Sequence, residues 1–282
     1  MTEDRMPLGV FTQIGAGLGA AIEKVLDLGV PTVQVHAGGP AGRTPERAEE
    51  VADRFADAGI QVTVVYCGFP GESYASIPIV RDTVGLVPPA TRKERLADTL
   101  AIADFTSWMG APAIGIHVGF VSEDWESDDF AGVVEVLRTV CDHCAGLGLR
   151  VHLETGQETA DTLFHLLETV ERGNLGVNFD PANMILYGSG EPLEALRKVG
   201  DYVWSCHAKD GTWSDQPGVE WGKEVPLGQG DVNIERFVGI LDEIGYDGPL
   251  TIEREISGAK QIEDIRAGIE YLNQVKARLG IA

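Results

Sequence analysis

Apolar residues in this chain follow two alternating periods from one end to the other. Short apolar runs with strand character recur at 7–13, 32–37, 61–67, 112–118, 150–155, 175–180, 201–208 and 248–254. Between them lie amphipathic stretches with helical spacing at 17–28, 44–58, 91–109, 128–147, 159–171, 191–199, 233–244 and 260–279. In the second of these, Ala48, Val51, Ala52, Phe55 and Ala56 share one face. Thr44 followed by Pro45 supplies an N-cap and a proline at the first helical position. Gly59, Gly110, Gly148 and Gly245 each precede a strand, where a left-handed C-cap belongs.

Eight strand–helix units at a spacing of roughly 35 residues predict an α/β protein with one domain over residues 1–282, a (β/α)8 barrel of the TIM type. The rival is a doubly wound open sheet, which carries a glycine-rich phosphate turn after its first strand. Gly15, Gly17 and Gly19 stand near that place, but the third glycine comes too early and no acid ends the second strand. These glycines are read as a loop and a flexible helix start.

A barrel brings the ends of its strands to one rim, where barrel active sites are built. Four successive runs end in Glu154, Asp180, His207 and Glu253. Side chains alternate along a strand. If these four point inward, so do His152, Asn178, Ser205, Lys209, Thr251 and Glu255, while the outward neighbours Leu153, Phe179, Cys206 and Ile252 are apolar. Carboxylates crowded at a water-poor mouth repel one another unless a cation lies between them. Three carboxylates and one imidazole form a mainly oxygen set that suits one divalent metal ion, Mn²⁺ first, then Mg²⁺ or Co²⁺, better than a structural Zn²⁺. Two long segments share that rim: 68–90, with Phe69, Tyr74 and Pro88-Pro89, and 211–231, with Trp213 and Trp221. Their aromatic content predicts loops that cover a substrate.

Charge and cysteine content narrow the partners. The chain holds 44 acidic and 22 basic residues, a net charge of -22. Such a balance argues against binding to nucleic acid, whose affinity comes from lysine and arginine on phosphates, and against docking on anionic membranes. No apolar run approaches the roughly 20 residues that span a bilayer, and the start MTEDRMPLGV lacks a leader's apolar core. Four cysteines, Cys67, Cys141, Cys144 and Cys206, are too few for a disulfide scaffold, so a reducing, cytoplasmic setting is expected. Cys141-Asp-His-Cys144 has metal-like spacing but sits in a helical stretch and is read as a buried helix face. Homo-oligomerisation stays open.

The segments HLETG (152–156), NFDPANM (178–184), CHAKDG (206–211), VPLGQGDVN (225–233) and GYDGPLTIERE (245–255) together resemble the xylose isomerase-like barrel superfamily. That group holds sugar isomerases, ketose 3-epimerases, inosose dehydratases and endonuclease IV-type nucleases. The resemblance covers nearly the whole chain and is strongest from residue 150 on. It implies Glu154, Asp180, His207 and Glu253 as metal ligands. It also implies Glu154 and Glu253 as an acid/base pair that trades a proton through an enediolate. The expected substrate is a small keto sugar or polyol, acted on by an isomerase or epimerase. A lyase of the inosose dehydratase type, with His117 or Lys209 as its acid, is the nearest alternative, and a sugar-binding barrel without turnover is a third.

The same resemblance sets expectations for the remaining site residues. Glu158 resembles an acid that contacts metal-bound water, or is a helix N-terminal acid favoured by the dipole. Asn183 stands where many relatives have a histidine, and suits a sugar hydroxyl rather than a metal. No Asp-x-His pair precedes Leu227-Gly-Gln-Gly230, so a three-zinc nuclease is not expected. His117 closes the fourth strand and is expected to touch substrate. His36 and Gln13, closing the second and first strands, are hydroxyl binders or polar groups of the barrel interior. Lys209 holds a substrate oxygen or pairs with Asp210 or Glu255. Asp231 is expected to cap the helix that begins near residue 233. The absence of an arginine/lysine cluster points to an unphosphorylated substrate.

Overall fold

The eight predicted strands close on themselves. In a computed structural model that describes residues 5–14 and 19–281, parallel strands run in chain order around a ring. They are β1 (Leu8–Gln13), β2 (Thr32–His36), β3 (Gln61–Tyr66), β4 (Ala113–Ile116), β5 (Arg150–Glu154), β6 (Leu175–Phe179), β7 (Val203–Ala208) and β8 (Leu250–Ile252). The ring shuts where Leu8, Gly9 and Val10 of β1 pair with Leu250, Thr251 and Ile252 of β8. The (β/α)8 barrel is therefore present, and all eight strand tips face one rim.

Two layers of side chains arise from the alternation. Leu153, Phe179, Cys206 and Ile252 are buried in the large core between strands and helices. Inside the barrel, Phe11, Val64, Tyr66 and Ala113 form a small separate cluster. Gly115 makes room for it: a Cβ there would stand 2.5 Å from the Tyr66 ring. Phe11 and Tyr66 in turn flank the His207 ring, with centroids 5.4 and 5.3 Å away. The floor under the strand tips is thus aromatic and rigid.

Several elements differ from the expected boundaries. Gly15 and Gly17, with the start of the predicted helix 17–28, lie outside the described residues. The rest of that stretch forms a short strand, Ala20–Ala21, and a single helical turn, Ile22–Val25. Pairing with β1, and the Thr12 hydroxyl donating to the Ala20 carbonyl at 2.6 Å, draw this segment onto the sheet. The 68–90 segment contains the helix Ile77–Thr83, and 211–231 folds back as an antiparallel pair, Asp210–Thr212 with Lys223–Val225. Another short helix, Pro181–Tyr187, starts directly at the tip of β6 because Asp180 caps it. The helix Ile234–Glu243 is capped by Asn233, not Asp231; Asp231 accepts instead from the Trp213 amide at 3.0 Å. Among the described residues no helix is long and apolar enough to cross a membrane.

Candidate active site

Glu154, Asp180, His207 and Glu253 converge at the rim. Each offers a ligand atom, all within 4.8 Å of one another, and all four residues are buried. His207 Nδ1 lies 3.0 Å from Glu154 Oε1, 3.3 Å from Glu253 Oε2 and 3.5 Å from Asp180 Oδ2. Asp180 divides its oxygens. Oδ1 accepts from the Asn183 amide at 3.0 Å and so caps the short helix, while Oδ2 is buried with no hydrogen-bond donor. That oxygen faces positive charge at longer range instead, His207 Nδ1 at 3.5 Å and Lys209 Nζ at 3.7 Å, and so keeps a lone pair to offer a metal.

The charge around the set points the same way. Burial alone would push the His207 imidazole down, yet Glu253 and Glu154 hold it well above its ordinary value. Burial would also discharge Lys209, but Glu253, Glu255 and Asp180 keep it firmly an ammonium. Its Nζ donates to Glu253 Oε2 at 2.9 Å, Glu255 Oε1 at 2.7 Å and Asn183 Oδ1 at 3.0 Å. A pocket that stabilises two buried cations carries surplus negative charge, which is what a divalent ion requires. The donor set fits one such ion.

A chain of hydrogen bonds behind the set fixes the His207 imidazole. His207 Nε2 meets Gln34 Oε1 at 2.7 Å and donates to it, so Nδ1, which faces the three carboxylates, is the nitrogen that would give up its proton to a metal. Gln34 Nε2 donates to Asn178 Oδ1 at 3.2 Å, which also accepts from Ser205 Oγ at 2.6 Å. His152 Nδ1 completes the row at 2.8 Å from Ser205 Oγ; burial drives that imidazole down to about 3, so it is neutral. Gln34→Leu should therefore weaken divalent metal binding by about 10- to 100-fold, the usual effect of losing such a support. Competition with a fluorescent chelator measures this, and unchanged affinity would remove Gln34 from the site.

Above the ligands the mouth opens into two lobes that share Tyr74 and His117. One has a volume of about 340 Å³ and is bordered by His36, Tyr66, Phe69, Glu154 and Glu253. The other, of about 310 Å³, is bordered by Asn183, Tyr187, Trp221, Glu224 and Glu255. Both predicted loops thus reach the mouth, through Phe69 and Tyr74 from one and Trp221 and Glu224 from the other.

The other expected contacts divide. His117 lies at the junction of the lobes, with Nε2 3.0 Å from Glu154 Oε2 and Nδ1 3.3 Å from Gln157 Nε2. Asn183 Nδ2 donates to Glu154 Oε1 at 3.2 Å, so it orients a ligand as well as facing a lobe. His36 lines the first lobe and its Nδ1 accepts from the Gly38 amide. Gln13 ends β1 in register with His36 but borders neither lobe. Lys209 pairs with Glu255; the expected alternative partner Asp210 instead accepts the amides of Gly211, Gly228, Gly230 and Val232. The structure places Glu158 away from the mouth, in a small enclosed space with Leu163, Phe179, Met184 and Val199. Sequence reasoning missed Gln34, Tyr66, Gln157 and Tyr187. Gln34, a polar residue two before the tip of an apolar strand, was the one legible signal among them.

Glu158 gives a pH test of its own. Burial lifts its carboxyl from 4.5 to about 8, and neither oxygen has a hydrogen-bond partner. Below the unfolded value the group is neutral in both states. As pH climbs toward 8 only the unfolded chain ionises, so folding loses stability, on the order of 4 kcal/mol once the folded value is passed. Glu158→Gln is neutral throughout. Its melting temperature relative to the natural chain should rise steadily from pH 5 to 8; parallel profiles would contradict a buried neutral acid.

The sequence profile of xylose isomerase-like TIM barrel domains matches residues 22–275. The chain belongs to this family. A xylose isomerase domain protein from Planctomyces limnophilus is 51% identical, with 99% of this chain and 100% of that chain covered and a TM-score of 0.96. A D-tagatose 3-epimerase-like protein shares the fold at 18% identity and a TM-score of 0.75, with 97% of this chain and 100% of that chain covered. Inosose dehydratase of Clostridium perfringens is 27% identical over 138 residues, 45% of this chain and 44% of the relative. The chain spans about half the length of the curated relatives it matches. The barrel with its buried Glu154, Asp180, His207 and Glu253 cluster is therefore a xylose isomerase-like one.

Proposed function

We propose that this xylose isomerase-like barrel is a divalent-metal-dependent isomerase or epimerase that moves a proton beside the carbonyl of a small keto sugar or polyol. One observation carries the reading. Glu154 and Glu253 both belong to the buried cluster and both border the same lobe, Glu154 paired with His117 and Glu253 with Lys209. Mere binding of metal or sugar does not call for two such carboxylates at the reacting face.

Their partners divide the work. Glu253 Oε2 lies 2.9 Å from the Lys209 ammonium. Burial alone would raise its carboxyl, but Lys209 and His207 hold it well below the usual range. Glu154 Oε2 meets the His117 imidazole instead and takes the proton from the substrate carbon. Glu253, a carboxylate at rest, must first take a proton from solvent before it can deliver one to the opposite face; one proton then leaves the carbon and one arrives, giving exchange or inversion. A divalent cation, Mn²⁺ by preference, held by Glu154, Asp180, His207 and Glu253 would polarise the carbonyl and offset the enediolate charge. Lys209 and Asn183 are placed to steady a substrate oxygen, and Phe11, Tyr66 and Phe69 keep the floor dry.

A second reading, a dehydratase, draws on the inosose dehydratase likeness and on His117, which stands at the junction of both lobes and can protonate a departing hydroxyl. Incubating manganese-loaded protein with keto sugars and inososes in D₂O separates the readings. Deuterium on an intact sugar carbon supports the isomerase or epimerase, loss of water supports the lyase, and neither, with metal and sugar bound, leaves a binding protein.

A further inference from the structure

The second lobe is not needed to hold a single ring at Glu154 and Glu253, because the first lobe already borders both and has the volume of a small-ligand pocket. Its own walls are specific. Trp221 and Tyr187 pack with ring centroids 4.6 Å apart at 55°. Phe120 buttresses Tyr187 edge-on at 5.7 Å. Trp221 is held there by its neighbour: the Gly222 amide donates to the Leu186 carbonyl at 3.0 Å. A Cβ on Gly222 would stand 2.6 Å from the Thr212 carbonyl oxygen, so the backbone approach that sets Trp221 needs glycine.

The polar atoms of the lobe are unequally used. The Trp221 indole N–H is buried and donates to nothing. The Tyr187 hydroxyl accepts from Gln157 Nε2 at 3.1 Å and keeps its own hydrogen to donate. Glu255 gives one oxygen to Lys209, and its side chain is 34% exposed. Lys209 is committed to Glu253 and Glu255, and Arg254 to Glu224 and Asp264, while Arg81 lies over the Phe120 ring, 4.2 Å from its centroid, and does not border the lobe. No lysine or arginine is among the residues that border the lobe, and two carboxylates are, which disfavours a phosphate or carboxylate there. A neutral ring with an apolar C–H face and rim hydroxyls would find the partly exposed Trp221 ring and the Glu255 carboxylate as acceptor.

We propose that the lobe formed by Tyr187, Trp221, Glu224 and Glu255 is a second sugar subsite, and that the substrate is a glycoside or disaccharide whose keto ring sits over Glu154 and Glu253. This rests on the sugar-enzyme reading above and extends it to the substrate's size. Tyr74 and His117, shared by the lobes, would then flank the glycosidic link.

Calorimetric titration of manganese-loaded protein with D-fructose and with the keto disaccharides lactulose, maltulose and turanose tests it. At least one disaccharide should bind about tenfold or more tightly than fructose. Trp221→Ala should bring that ratio to within about threefold of unity, and Trp221→Phe, which keeps an aromatic face, should retain more of it. Disaccharides that bind no better than fructose, or a ratio that survives Trp221→Ala, overturn the subsite and leave a single-ring sugar enzyme standing. If neither class binds and no deuterium enters either, the subsite and the sugar-enzyme reading fall together.

Discussion

Glu154→Gln and Glu253→Gln should each abolish exchange of the substrate's carbon-bound hydrogen with solvent, a loss of about 10²- to 10⁴-fold, while substrate still binds. The amide copies the shape of the carboxyl and keeps one oxygen to offer a metal, but cannot take a proton at neutral pH. The two variants also differ in what they disturb. At position 154 the amide must serve His207 and Asn183 on one side and His117 on the other, where carboxylate oxygens now accept. At position 253 it faces the Lys209 ammonium. Because both residues are also ligands, metal content is measured on the same samples. Exchange retained by either variant with metal bound would take that residue out of the chemistry.

Metal should stabilise the natural chain and fail to stabilise Asp180→Asn. An ion present at a thousandfold its dissociation constant adds about 4 kcal/mol, which is roughly 10 °C for a domain of this size. Asp180 does two jobs with two oxygens, capping the helix Pro181–Tyr187 with Oδ1 and facing His207 and Lys209 with Oδ2. Asparagine is a good N-cap, so the first job survives. The second does not, because an amide there brings hydrogens toward cations. Thermal melts with and without Mn²⁺ should show the rise in the natural chain and its absence in Asp180→Asn, with the metal-free melts close together. A full rise in the variant would show that Asp180 is not a ligand.

How much of this was legible varies with the kind of signal. The strands were legible because each is a short apolar run closed by a polar tip, and period-two alternation carried the direction of side chains. Leu153 outward and Glu154 inward came from that rule alone. The quartet was legible because β5 to β8 are consecutive, so neighbouring tips in sequence are neighbours in space. The partners of the quartet were harder. Gln34 reaches His207 from β2, 173 positions away in the chain, and only closure of the ring brings them together. Short elements were also lost: the helix Pro181–Tyr187 has seven residues, too few for a periodic pattern, though Asp180-Pro181 is a start signal. Glu158 was left between two roles, and the structure sets it beside the helix that Thr159 caps, among Leu163, Phe179 and Met184. Its position four after Glu154 reads the same in either case.

The direct test is a single incubation of manganese-loaded natural protein with keto sugars in D₂O, read by mass spectrometry and run beside an identical sample stripped by chelator. Deuterium should appear on the carbon next to the carbonyl in the loaded sample and not in the stripped one. A loaded sample that binds sugar and metal yet takes up no deuterium, or a stripped one that exchanges equally well, would contradict a metal-dependent proton transfer at Glu154 and Glu253.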